Sequence, residues 1–133
     1  MNNLIICIPA TVQPADLVEP LSAIGEVGLH PNAVTVGKGV GGVSLLLDEG
    51  RELDREFTQE ELARIAELLG PYTGLILPHR YRAMDLAKRI ARAIAERFPC
   101  VVDTDWSFFG SGKQFLARLD ADPGWDWWED EAG

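Results

Sequence analysis

Short apolar runs that stop at proline or glycine alternate along this chain with segments that have the apolar spacing of helices. The clearest runs are residues 3–8, which end before Pro9, and residues 74–77, which end before Pro78. Runs of this length bounded by turn residues are typical of buried strands. The chain has 133 residues, of which 47% are hydrophobic, which excludes a disordered chain and fits one domain. The alternation predicts a domain that mixes helices with a sheet.

The helices and the remaining strands follow from local signals. Thr58 and Glu61 form the capping-box pattern of a helix start, and Gly70 and Pro71 end that helix. Further helices are predicted at 14–25, 82–98 and 113–119, and further strands at 32–37, 42–48 and 100–106. The first six elements follow the order β-α-β-β-α-β, which predicts a ferredoxin-like core with a C-terminal α-β-α extension. We therefore expect a single α+β domain over residues 1–119 and an acidic, Trp-rich tail over residues 120–133.

Charge is concentrated at the C-terminus. The net charge is −9, and residues 119–133 contain six acids and no Lys or Arg. This balance favours a protein partner with a basic surface and disfavours nucleic acid and anionic membranes. The first apolar run is too short for a signal sequence, and no segment is long enough to span a membrane, so we expect a cytoplasmic protein. Cys7 and Cys100 lie in apolar runs and are predicted to be buried reduced thiols, with a long-range disulfide as the alternative.

A glycine-rich segment and a basic cluster each allow more than one functional interpretation. The glycine-rich segment 37–42 joins two predicted strands and lacks the Ser or Thr of a phosphate-binding P-loop, which favours a hairpin turn over a phosphate site. The cluster from His79 to Arg82, with Lys88, Arg89 and Arg92, is either a solvated helix face or a surface for an acidic partner or a phosphate.

A metal or acid–base site is a further alternative. Asp103 and Asp105 lie two apart on a predicted strand, so both side chains are expected on one face. Two carboxylates at a strand end can hold a divalent cation. With His79 they could form the site of a small metal- or ligand-binding enzyme domain.

The acidic aromatic tail is the strongest functional signal. Tryptophan is enriched at the energetic centres of interfaces, and flanking acids would steer a basic partner. The predicted contacts are Trp125, Asp126, Trp127, Trp128, Glu129 and Asp130, with Trp106 as an outlying candidate. The alternative is that these tryptophans fold back as a lid on the domain.

A family resemblance covers residues 86–119. An Ala/Arg-rich helix (87–98) runs into the strand Val101-Val-Asp-Thr-Asp-Trp, followed by Ser111-Gly-Lys-Gln-Phe-Leu-Ala-Arg. This pattern resembles the C-terminal half of small immunity proteins from bacterial polymorphic-toxin systems. The resemblance implies a cytoplasmic, acidic, non-catalytic protein without a cofactor, which neutralises one toxin by covering its active site. It implies no catalytic residues. A self-associating module, whose sheet edge pairs with a second copy, is the remaining alternative.

Overall fold

The computed structural model describes residues 2–37, 41–104 and 107–127, and within them the chain forms one sheet of seven strands. The strands are β1 (Asn2–Pro9), β2 (Val27–His30), β3 (Ala33–Val36), β4 (Val43–Leu47), β5 (Tyr72–His79), β6 (Val101–Asp103) and β7 (Phe109–Ser111). They lie in the order β2-β3-β4-β5-β1-β6-β7, and each neighbouring pair is antiparallel. The predicted mixed α+β class is confirmed.

Five α-helices are formed by the described residues. They are α1 (Val18–Ser22), α2 (Leu53–Glu56), α3 (Gln59–Leu69), α4 (Met84–Arg97) and α5 (Gly112–Ala121), with 3-10 turns at Pro14–Leu17 and Tyr81–Ala83. The predicted capping box starts α3: the Thr58 hydroxyl accepts a hydrogen bond from the Glu61 N–H at 3.1 Å, and the Glu61 carboxylate accepts one from the Thr58 N–H at 2.8 Å. None of these helices is long and apolar enough to cross a membrane.

The longest strands, β1 and β5, pair over eight residues at the centre of the sheet. Side chains alternate along a strand, so Leu4, Ile6 and Ile8 lie on one face and Ile5 and Cys7 on the other. All five side chains are buried. Helices therefore have to cover both faces of this pair, which explains why residues 4–8 form a continuous apolar run rather than an alternating one.

The helices form one layer on each face of the sheet. We call the face that carries Leu4 the first face, and its core includes the buried stripe of α4 together with side chains from α1 and α5. The opposite, second face carries Ile5, and its core includes Leu53 of α2 and Ile65 of α3. Two hydrophobic cores thus lie on opposite sides of a shared sheet.

The predicted ferredoxin-like core is not confirmed. That core has four strands and requires the strand at 3–8 to pair with the strand at 42–48, whereas β5 lies between β1 and β4 and pairs with both. The pairing of β1 with β5 is common to both orders, and the difference lies at the other edge of β1, where β6 pairs with Ile5, Ile6 and Cys7. Because both edges of β1 are occupied, β4 pairs with the outer side of β5.

Several elements also differ from the sequence prediction, including β7 (Phe109–Ser111), which was not predicted. The short strand β2 (Val27–His30) was not predicted, because Gly28 and Pro31 read as turn residues. Helix α2 (Leu53–Glu56) was also not predicted, and the Asp48 carboxylate stabilises its start by accepting hydrogen bonds from the N–H groups of Glu52 and Leu53 at 3.0 and 2.9 Å. Helix α5 continues to Ala121, two residues into the predicted tail. The predicted pairing of the strands at 32–37 and 42–48 is confirmed by β3 and β4.

Candidate functional site

The C-terminal segment after α5 returns to the first face of the sheet. Trp125 is 4% exposed and Trp127 is fully buried. Their rings pack edge to face at 5.5 Å between centroids, and both contact Phe115 of α5, at 5.8 and 6.1 Å. This is the arrangement expected of the lid alternative, and in this conformation a partner cannot reach either ring.

Polar contacts hold this segment in place. The Trp125 N–H donates to the Asp122 carbonyl at 2.9 Å, which turns the chain back after α5. The Arg118 guanidinium lies over the Trp125 ring, 4.7 Å from its centroid. Arg92 of α4 pairs with Asp120 of α5 at 2.8 Å. The turn is therefore fixed to the two helices of the first face.

The deepest polar contact joins Trp127 to the end of β5. The Trp127 indole Nε1–H donates to Nε2 of His79 at 3.1 Å, and His79 is 2% exposed. An indole nitrogen is only a donor, so Nε2 of His79 must be an acceptor and its proton must lie on Nδ1. Nδ1 is 3.2 Å from the Arg80 carbonyl, which accepts that proton's hydrogen bond. The two contacts fix the orientation of the His79 ring.

The two groups of the predicted metal or acid–base site lie on opposite faces. Asp103 and Ile76 both lie opposite Ile5 in the register, so Asp103 is on the second face. His79 is three residues beyond Ile76 and packs against Trp127 on the first face. The structure does not bring them together, and the described residues contain no cluster of three or more His, Cys, Asp or Glu able to hold a metal ion.

Other predicted site residues fall outside the part of the chain that the structure describes. They are Asp105, Trp106, Trp128, Glu129 and Asp130. Asp126 lies between the two buried tryptophans and is half-buried. The partner-binding role of Trp106, Asp126, Trp128, Glu129 and Asp130 stays a prediction, as does the metal-ligating alternative for Asp105.

Both cysteines are buried free thiols, as the sequence predicted. Burial, with a smaller effect of the Asp103 carboxylate, raises the pKa of Cys7 to about 12. Burial also raises the pKa of Cys100 to about 12. Since the thiolate is the nucleophile, neither cysteine is activated for chemistry near neutral pH.

A polar cluster lies on the second face between α2 and β5. The Tyr72 hydroxyl donates to the Asp54 carboxylate, which also pairs with Arg51 at 2.9 Å. The Arg51 guanidinium lies 4.9 Å from the Tyr72 ring centroid. The hydrogen bond from Tyr72 is the main reason that the pKa of Asp54 lies below its ordinary value, and Arg51 adds to the effect. Burial, followed by the bond to Asp54, raises the pKa of Tyr72.

A cavity of about 720 Å³ opens between the start of β4, the end of β5 and the start of α4. We call it the Arg80 cavity, and its lining residues are Gly41, Gly42, Val43, Ser44, Pro78, His79, Arg80, Arg82, Ala83 and Leu86. The ladder between β4 and β5 consists of Leu46 with Ile76 and Leu47 with Leu75 and does not extend to Val43 or His79. Pro78 has no N–H to donate to a ladder there. The cavity occupies the gap where the two strands separate.

The sequence analysis identifies the two segments that line this cavity but does not predict that they lie together. The glycine-rich segment 37–42 was predicted to be a turn, and the cluster from His79 to Arg82 was interpreted as a helix face or a binding surface. Only the placement of β4 next to β5 brings Gly41 and Gly42 to Arg80 and Arg82, about 40 residues later in the chain. The local signal was present, but their proximity depends on the strand order.

Comparison of the chain with protein-family models, with curated proteins and with solved structures found no match.

Proposed function

We propose that this protein is a cytoplasmic, non-catalytic binding protein of the immunity type, which neutralises a toxin domain with a basic surface by covering its active site. The observation that carries the proposal is an exposed acidic helix layer on the second face. Residues 48–67 contain eight acids and three arginines, a net charge of −5. The resemblance of residues 86–119 to immunity proteins, which comes from the sequence pattern alone, leads to the same proposal. Inhibition of this kind needs no chemistry, only a stiff scaffold and a complementary surface.

The outer surface of α3 is the part of this layer best suited to a partner. Glu60 and Glu67 are exposed and lie seven residues apart, which is two helical turns on one side of the helix. Among the described residues neither carboxylate has an ion-pair partner. Leu68 is 46% exposed next to Glu67 and supplies an apolar contact. Two exposed carboxylates beside an exposed apolar side chain match a basic surface with a small apolar pocket.

The buried tryptophans contribute to this function indirectly. Trp125 and Trp127 fill the first-face core, so they stiffen the scaffold that presents α3. The acidic residues that follow them, Glu129 and Asp130, are proposed to extend the negative surface, and Trp106, Asp126 and Trp128 are proposed partner contacts.

The test uses the toxin domain encoded by the neighbouring reading frame. We expect the purified chain to bind this domain and to protect cells that express it. The variants Glu60→Lys and Glu67→Lys should each weaken binding at least ten-fold without loss of folding. The matched control is Glu96→Lys, an equal charge reversal at an exposed site of α4 on the other side of the sheet. Equal effects of all three variants would reject the α3 surface, and the absence of any complex would reject the immunity function.

A second candidate function is self-association through a sheet edge. Within the described sheet, β2 is an edge strand, and its residue Leu29 is 49% exposed. An edge strand with an exposed apolar side chain can pair with a second copy. Sedimentation equilibrium distinguishes the two candidates: a dimer that the variant Leu29→Lys converts to a monomer would favour self-association, whereas a monomeric wild-type chain would reject it.

A further inference from the structure

The Arg80 cavity combines cationic, backbone and apolar surfaces in one opening of the sheet. We propose that it is a binding site for a small organic anion, in which a phosphate or carboxylate group is attached to an apolar body. Its volume of about 720 Å³ lies in the range of small-molecule sites in proteins. The proposal does not depend on the immunity function, because the cavity and the acidic surface of α3 are separate features.

Two arginines belong to the cavity lining. They are Arg80 and Arg82, and both are exposed. Within the described ranges neither has an ion-pair partner, although the chain is strongly acidic and three other arginines are paired with carboxylates. Guanidinium groups match the planar geometry of carboxylate and phosphate oxygens and bind them through two parallel hydrogen bonds. Because Arg80 and Arg82 have no ion-pair partner in the described part of the chain, they are suited to an anion from outside it.

Two consecutive glycines, Gly41 and Gly42, also line the cavity. A Cβ added to Gly42 would lie 3.1 Å from the Gly37 carbonyl carbon and 3.2 Å from the Val36 carbonyl oxygen, so a larger residue there would press the two sides of the hairpin apart. A Cβ added to Gly41 would meet no atom within 4 Å. The open space at Gly41 lets a ligand approach the main chain there, as in glycine-rich segments that bind anions.

Apolar side chains form the rest of the lining. Val43 and Pro78 contribute from the ends of β4 and β5, and Leu86 contributes from the first turn of α4. Ala83, the N-cap residue of the 14-residue α4, offers no side-chain oxygen to the N–H groups of that turn. An anion at this wall would therefore also interact with the positive end of the α4 dipole. This mixture of surfaces favours an amphipathic anion over a bare inorganic ion.

One residue of the cavity lining, His79, is buried and held by hydrogen bonds. His79 is held from behind by the hydrogen bond from Trp127, while its own Nδ1–H is directed to the carbonyl of Arg80. The main chain at Arg80 is thus fixed through His79 to the aromatic core. A site on a fixed backbone loses less conformational entropy when a ligand binds.

The experiment uses phenyl phosphate and benzoate as probes, with benzamide and inorganic phosphate as comparisons. Binding is measured from ¹⁵N–¹H chemical-shift changes of the full chain during titration. We expect saturable shifts with phenyl phosphate or benzoate, centred on the amides of Gly41, Gly42 and residues 80–83. Phenyl phosphate as the tighter probe would identify a phosphate ester, and benzoate would identify a carboxylate. Equally tight binding of benzamide, or of inorganic phosphate alone, would overturn the amphipathic-anion proposal.

Substitutions locate the site. The double variant Arg80→Ala/Arg82→Ala should weaken binding of the tighter probe at least ten-fold, whereas Arg80→Lys/Arg82→Lys should retain part of the affinity. Arg89→Ala, at an exposed position of α4 outside the cavity lining, is the matched control and should leave affinity unchanged. Unchanged binding by the double alanine variant, with folding verified by its amide spectrum, would overturn the proposal, as would the absence of saturable shifts in the wild-type chain.

Discussion

The indole nitrogen of Trp127 donates a hydrogen bond to Nε2 of His79 at 3.1 Å, and their rings meet edge to face at 5.8 Å between centroids. Through this contact the C-terminal segment is joined to the last residue of β5, 48 positions earlier in the chain. Because His79 also lines the Arg80 cavity, the same bond links the aromatic core of the first face to the candidate ligand site.

The first prediction concerns the Trp127 side chain. Trp127→Phe removes the donor and leaves the buried Nε2 of His79 without it, so we expect a loss of about 1–3 kcal/mol in the free energy of unfolding. Trp127→Ala also leaves a large cavity beside Phe115 and should cost about 3–5 kcal/mol. Urea unfolding followed by circular dichroism measures both values. A Trp127→Ala variant as stable as the wild type would show that the segment does not belong to the core in solution.

The second prediction uses the lowered pKa of Asp54. Its folded-state pKa lies below the unfolded value, so the contact with Tyr72 and Arg51 stabilises the fold above the unfolded pKa and is lost as pH falls through the folded one. Asp54→Asn should lower stability by about 0.5–1 kcal/mol at pH 7, a modest value because the carboxylate is partly solvated. The difference should disappear well below the ordinary Asp pKa of about 3.9.

Urea unfolding of wild type and Asp54→Asn from pH 7 down to pH 2.5 tests this. Tyr72→Phe, which removes the donor and retains the ring, should show the same trend with pH. A stability difference that stays constant over the whole range would mean that the carboxylate's charge has no role in the contact.

The third prediction follows from the raised thiol pKa values. Near pH 8, far below about 12, both Cys7 and Cys100 are protonated and buried in the native protein. Iodoacetamide should therefore modify neither cysteine in the native protein and both in 8 M urea, as measured by mass spectrometry. Rapid labelling of one native thiol would identify an activated cysteine and would contradict the assigned burial.

The sequence predicts the elements whose signals are local. The helix from Thr58 to Leu69 is defined by a capping box and a terminal glycine that lie within a few residues of each other, and the structure has it at that place. The pairing of the strands at 32–37 and 42–48 could also be predicted, because the two strands are neighbours along the chain.

Contacts between segments that lie far apart in the chain could not be predicted from such local signals. Which strand lies next to β5 depends on the burial of whole faces, so the ferredoxin-like order was predicted instead. Tryptophan is a residue type enriched at interfaces, so the sequence favours a binding role for Trp127. Its burial depends on contact with His79, 48 positions earlier, and no signal near Trp127 predicts that contact. The Arg80 cavity likewise exists only because β4 and β5 are neighbours.

The last prediction concerns Gly112, where helix propensity and packing oppose each other. Gly112 is the first residue of α5, and alanine there would favour the helix by up to about 1 kcal/mol. A Cβ at this position would lie only 2.7 Å from Sγ of Cys100 and 3.3 Å from Cβ of Ala95. Overpacking of a core typically costs about 1–3 kcal/mol, so the steric effect prevails and Gly112→Ala should destabilise the protein.

The double variant Gly112→Ala/Cys100→Ala identifies the cause of that loss. Cys100→Ala removes the sulfur that the new methyl group would meet, so the double variant should be more stable than the sum of the two single changes predicts. Gly124→Ala is the matched control, because an added Cβ there meets only Asp122 Oδ1 at an ordinary 3.6 Å. Additive effects in urea unfolding would show that the close approach of α5 to Cys100 does not limit the packing of the first face.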